Sequence, residues 1–122
     1  MPRFVVLRHE TPPDSSRGTH WDFMLEQDAV LRTWALAEEP RADCPIDAQE
    51  LAVHRLAYLQ YEGPVSGDRG SVVRWDEGEF QLINEAEGLV ELTLAGRRLS
   101  GRVRLTRQAG DPLHWTFRLS EG

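Results

Sequence analysis

The chain has 122 residues with 40% apolar content, four Trp and four Phe, which suits one domain built on a single core. Its one cysteine, Cys44, excludes an internal disulfide and fits a reducing compartment. The apolar run after Pro2 is too short for a signal peptide or a membrane span, so a soluble cytoplasmic monomer is expected.

A net charge of −6 argues against broad coating of DNA. All 14 basic residues are Arg, so every cation is a planar fork able to grip a phosphate in bidentate fashion. Residues 1–80 hold 8 Arg and 15 acids, a balance of −7, and residues 81–122 hold 6 Arg and 5 acids, a balance of +1. The late cluster of Arg97, Arg98, Arg102, Arg104 and Arg107 reads as a solvated hairpin face.

Period two dominates. Arg3–Arg8 is a β-rich run. His20–Glu26 alternates, with Trp21, Phe23 and Leu25 on one side and His20, Asp22, Met24 and Glu26 on the other. Gln27-Asp28-Ala29 suits a hairpin turn into a third strand, Val30–Leu36. One α-helix is expected from Asp47, with Glu50 three residues on as in a capping box and Leu51, Leu56 and Leu59 as its contacts. Pro40, Pro45 and Pro64 bracket that region. Ser71–Trp75 and Glu79–Ile83 flank an expected turn at Asp76-Glu77-Gly78. Leu89–Leu94, Leu99–Thr106 and His114–Leu119 follow. The sum is a mainly β fold: a small closed or partly open β-barrel of about eight strands with one flanking α-helix, a single domain over 1–122.

His20-Trp21-Asp22 carries the chemistry. Residues two apart on a strand share a face, so imidazole and carboxylate stand side by side while Trp21 turns to a core. Imidazoles with a carboxylate make a borderline-hard donor set suited to Mn, Fe or Zn. His20, Asp22 and His54 also follow the order of an Fe(II) facial triad, a competing reading. His114 reads as structural, the four Trp as core, Gly67-Asp68-Arg69-Gly70 as a strand-entry turn, and Cys44 as chemically idle.

Five segments in order carry a family likeness. They are Phe4-Val5-Val6-Leu7-Arg8-His9, His20-Trp21-Asp22-Phe23-Met24-Leu25-Glu26, Leu31-Arg32-Thr33-Trp34-Ala35, the run from His54 to Gly63, and the run from Gly67 to Gly78. Over nearly the whole chain the sequence resembles the 3′-phosphoesterase domain of bacterial DNA ligase D, the non-homologous end-joining ligase, and its short stand-alone relatives.

The resemblance implies a compact β-barrel with a flanking helix and a Mn²⁺-dependent site that trims 3′-phosphates and 3′-ribonucleotides from DNA ends before ligation. Zn²⁺ or another divalent metal could occupy the same donors. Carried over by position, His9, His20 and Asp22 resemble the metal ligands, His54 the histidine on the scissile phosphate and Tyr58 its supporting tyrosine. The implied partners are DNA 3′ ends on a primer–template, with ligase and polymerase repair proteins. Two departures stand out. Met24 replaces a family Arg on the site face, and the catalytic residues that precede the first strand in ligase D have no counterpart. Ten residues lie between His9 and His20, and Arg17 among them is the expected replacement clamp, with Arg8 and Arg32 as further phosphate-binding residues. Arg55, Arg69 and Arg74 complete the expected rim. The departures motivate an alternative, a catalytically impaired metal-stabilised module that binds DNA ends or a repair partner.

Overall fold

A computed structural model describes residues 2–15 and 18–121. Nine strands are present: β1 (Arg3–Glu10), β2 (His20–Gln27), β3 (Val30–Leu36), β4 (Ile46–His54), β5 (Gly63–Pro64), β6 (Ser71–Ala86), β7 (Leu89–Gly96), β8 (Ser100–Arg107) and β9 (His114–Ser120). They form one sheet in the order β1-β2-β3-β4-β9-β8-β7-β6-β5, and a pairing of β1 with β6 joins it into a ring. Eight strands make the ring, and the two-residue β5 rides on the edge of β6. No helix among the described residues is long and apolar enough to cross a membrane.

The first hairpin forms as expected. Asp28 and Ala29 take φ of 54° and 65°, the doubly positive geometry whose twist matches two-residue hairpins. Gln27 pairs with Val30 across the turn. β1 runs on to Glu10, which brings His9 into the strand.

Two expectations fail. No α-helix starts at Asp47. Ile46–His54 is strand β4, and only Leu56–Leu59 coil, as a single 3₁₀ turn. Pairing on both edges, with β3 and β9, satisfies the β4 backbone twice over and overrides the local capping signal. Ile46 and Ala48 alternate into the core between exposed Asp47 and Gln49.

There is also no turn at Asp76-Glu77-Gly78, because β6 is one continuous 16-residue strand. Its turn-like residues serve tertiary ends. Trp75 is an extra residue, a bulge that bends the strand where Val6 and Leu7 face Asp76 and Arg74. The buried Asp76 carboxylate accepts backbone N–H bonds from Glu77, Arg97, Arg98 and Leu99 at 2.9–3.0 Å, and so pins the β7–β8 turn. Gly78 pairs with Phe4 on one side and Gly96 on the other. A Cβ there would strike the Ala95 carbonyl oxygen. β6 thus passes from β1 to β7 along its length and seals the ring.

The sheet is buried on two sides where the site lies. Inside the ring, all eight strands contribute to one core that includes Phe23, Trp34, Trp115 and Phe117. On the outer face of β1–β3, Val5, Leu7, Met24 and Leu31 pack under Leu59, Val65 and Val72. The segment after β4 is therefore a flap of chain over the outside of the ring. The site opens where that cover stops.

Candidate functional site

β1 and β2 each end their outer face in polar residues. Val5 and Leu7 lead to His9, and Met24 leads back to Asp22 and His20. His9 and His20 are cross-strand partners, with ring centroids 4.6 Å apart. Asp22 Oδ2 lies 3.1 Å from His9 Nδ1, and its Oδ1 lies 3.1 Å from His20 Nε2. One donor atom from each of the three falls within 4.8 Å of the others. His20 and Asp22 are buried, and His9 is half-buried.

The outer nitrogens of both rings fix what the inner ones present. His20 Nδ1 is 2.9 Å from the Gly18 carbonyl, and His9 Nε2 is 2.7 Å from the Arg69 carbonyl. A carbonyl oxygen only accepts, so both outer nitrogens carry their protons. In the neutral rings, His20 Nε2 and His9 Nδ1 then hold lone pairs that face a carboxylate. That arrangement requires an extra proton on each ring or a cation between them. Asp22 Oδ1 is buried and receives no hydrogen bond, although His20 Nε2 is 3.1 Å away. An orphaned carboxylate oxygen beside two oriented imidazoles fits a divalent ion, with backbone carbonyls as outer-shell partners. Burial pushes the Asp22 pKa up, but His20 and His9 outweigh it and hold it at about 2.

His54 reaches this face through a bulge. Thr33 pairs with Leu51 and Leu31 with His54, two residues of β3 against three of β4. The extra residue puts His54 on the outer face with Thr33, where regular alternation would turn it away. Thr33 Oγ1 donates to the Leu31 carbonyl at 3.0 Å, so at 3.1 Å it accepts from His54 Nδ1–H. Nε2 is thereby the nitrogen of His54 that titrates. Burial lowers the His54 pKa, and the nearby Asp22 charge offsets this only in part. Tyr58, on the 3₁₀ turn, packs edge-on against His54 at 5.4 Å.

A cavity of about 440 Å³ joins these groups, lined by His9, His20, Asp22, His54, Tyr58 and two arginines, Arg55 and Arg69. Met24 is 1% exposed and forms part of its apolar floor. The grouping of metal-type donors among the described residues is His9, His20 and Asp22. His54 stands outside it, which removes the facial-triad reading built on His20, Asp22 and His54.

Of the expected arginines, Arg55 and Arg69 line the cavity, and Arg8 and Arg32 do not. Arg8 follows the opposite face of β1, pairs with Glu10 and lies over Trp21. Arg32 follows the opposite face of β3, bonded to Glu85 at 2.9 Å and stacked 4.8 Å over Trp34. Arg17 lies outside the described residues. Arg74 pairs with Glu77 away from the cavity. Glu26 bonds Arg3, as its place on the strand allowed. His114 is half-exposed near Asp47. Of the late arginines, Arg104 faces Glu91 on β7 and Arg107 faces Glu87 in the β6–β7 turn. Thr33 escaped the sequence reading, although its place beside Arg32 in a family segment was the available signal. The carbonyls of Gly18 and Arg69 carry no such signal.

The family model of the DNA ligase D 3′-phosphoesterase domain matches residues 10–107. The multifunctional non-homologous end joining protein LigD of Pseudomonas aeruginosa is 34% identical over 115 residues, which cover 86% of this chain and 13% of that protein. The multifunctional non-homologous end joining DNA repair protein LigD of Mycobacterium tuberculosis is 34% identical over 119 residues, 88% of this chain and 15% of that protein. The LigD of Mycolicibacterium smegmatis is 27% identical over 128 residues, 88% of this chain and 16% of that protein. The chain thus spans only 13–16% of the length of these curated relatives.

Proposed function

We infer the function from one premise: the chain belongs to the DNA ligase D 3′-phosphoesterase domain family. On that footing it is a divalent-metal phosphoesterase that cleans 3′ ends of DNA for end joining, a single catalytic unit over 1–122. Its partners are primer–template ends and the proteins that supply polymerase and ligase. One observation carries the reading: two oriented imidazole lone pairs and an unsatisfied carboxylate oxygen converge in a cavity that also holds His54 and two arginines.

His9, His20 and Asp22 would hold the ion, Mn²⁺ by family likeness, with Zn²⁺ as the competitor of higher intrinsic affinity. When bound, it supplies Lewis-acid polarisation of a phosphate oxygen and a more acidic water. The chain supplies the rest. Arg55 and Arg69 neutralise the phosphate. His54 is neutral near pH 7, and the arrival of an anionic phosphate raises its pKa and recruits a proton to Nε2. That proton passes to the 3′ oxygen as water adds to phosphorus and the P–O bond breaks. Tyr58 holds the His54 ring and donates its hydroxyl to the phosphate. Thr33 fixes the tautomer, as the partner of a catalytic histidine must.

The test is phosphate release from a 3′-phosphate primer–template, with and without Mn²⁺, beside Asp22→Ala and His20→Ala. Release that needs both the metal and the two side chains supports the reading. Full release by His20→Ala would sink the assigned site. The apolar floor at Met24 favours one second reading, a metal-stabilised DNA-end-binding module with impaired turnover. Mn²⁺-dependent binding of DNA without release, with release restored by Met24→Arg, would establish it.

A further inference from the structure

A second recess of about 200 Å³ adjoins the metal cavity and shares Arg55, Tyr58 and Ser66 with it. Tyr61 and Pro64 form its outer part. The chemistry differs from that of the cavity, since the recess has no acidic or imidazole group in its lining. Tyr61 is 37% exposed. Its hydroxyl donates to the Pro64 carbonyl, and its ring stands edge-on to Tyr58 at 5.6 Å and 80°. Gly63 backs it so closely that a Cβ would sit 3.3 Å from the Tyr61 hydroxyl. The polar end of Tyr61 is thus committed to the backbone and its orientation is fixed. What remains on offer is an aromatic surface. Arg55 is exposed beside it, and none of the ion pairs or hydrogen bonds among the described residues engages its guanidinium. The tryptophans do not compete for this role, because Trp34 and Trp115 are sealed in the core and Trp75 is bonded to Glu39.

We propose that this recess is a nucleobase platform: the terminal base of the strand whose 3′ phosphate enters the metal cavity stacks on Tyr61, with Arg55 bridging base and phosphate. The inference rests on the phosphoesterase reading. An aromatic ring and a guanidinium beside an anion site are the groups that hold single nucleotides without choosing among the bases, since each base offers a π-face. The contact therefore sets affinity for an end that carries a base and is blind to its identity.

The experiment compares wild type, Tyr61→Ala, Tyr61→Leu and Tyr61→Phe on two primers that end in 3′-phosphate, one with an ordinary terminal nucleotide and one with a tetrahydrofuran abasic residue there. Ala and Leu should raise KM about tenfold on the ordinary primer, the scale of one base–aromatic stack, with kcat within about twofold. Phe should match wild type. On the abasic primer all four proteins should share the same raised KM. Equal losses on both primers, or Leu behaving as Phe does, would overturn the platform. A 2-aminopurine at the terminal position gives a readout without turnover: wild type and Phe should quench it on binding, and Ala and Leu should not. Quenching without phosphate release would sink the phosphoesterase reading and leave the platform standing. Release with no quenching and no dependence on the base would sink the platform alone.

Discussion

Lowering the pH from 5 to 2 titrates Asp22 against the two imidazoles that hold it. Its pKa is about 2 in the folded protein against an ordinary 3.8. The folded value is the lower one, so the carboxylate stabilises the fold fully above pH 3.8 or so, progressively less toward pH 2, and not at all below that. At 1.36 kcal/mol per pKa unit, the contribution at stake is roughly 2.5 kcal/mol. The interaction being removed is the contact of the carboxylate with an imidazole at 3.1 Å on each side. Urea unfolding of metal-free wild type and Asp22→Asn, followed by the fluorescence of the buried Trp34 and Trp115, isolates it, because the other carboxylates cancel in the difference. The stability difference between the two proteins should shrink by about 2 kcal/mol between pH 5 and pH 2. A difference that stays level over that range would refute the hold of the two imidazoles on the Asp22 carboxylate.

His54 titrates in a higher window. Burial lowers its folded pKa, so the unfolded chain takes up the proton first and stability falls as pH drops from about 6.5 through the folded value; His54→Gln should flatten the slope of urea midpoint against pH there. Saturating Mn²⁺ at about 100 times its Kd should add about 2.7 kcal/mol, a rise in Tm of roughly 10 °C for a domain of this size. Calorimetry should show that rise in wild type and its loss in His20→Ala. Asp76→Ala leaves the N–H groups of Arg97, Arg98 and Leu99 without their carboxylate acceptor, and should cost about 3–5 kcal/mol in urea unfolding. A loss below about 1 kcal/mol would mean that water replaces the carboxylate at no net cost.

The side-by-side placement of His20 and Asp22 was legible in the sequence because its geometry is local. The two share a face by parity alone, whereas His9 entered through the family likeness, and only the pairing of β1 with β2 sets it opposite His20. His54 and Tyr58 were legible as residues but not as geometry. Asp47 and Glu50 mimic a helix start, and only pairing to β3 and β9, distant in sequence, makes that segment a strand. The arginines show the opposite failure. Arg8 beside His9 and Arg32 beside Thr33 look close to the site in sequence, but on a strand an adjacent residue points to the other face. Arg55 and Arg69 reach the cavity from the chain that covers the sheet, and nothing in the sequence states which sheet face that chain will cover. The turn signal at Asp76-Glu77-Gly78 was real chemistry assigned to the wrong loop, since Asp76 caps the 97–99 segment.

The bulge of β4 makes the face that His54 takes depend on a count. Thr33 and Leu31 are an even step apart, Leu51 and His54 an odd one, and the single surplus residue between them decides which side of the sheet the imidazole occupies. Loss of Ala52 or Val53, both solvent-exposed, would leave an even step from Leu51 and keep His54 on the outer face opposite Leu31, without a bulge. Loss of the pair would set His54 directly after Leu51, opposite Arg32, and turn it toward the interior. A single-residue deletion here is therefore tolerable for the direction of His54, and a double one is not. Removal of both residues would thus withdraw the histidine from the cavity while His9, His20 and Asp22 stay as they are.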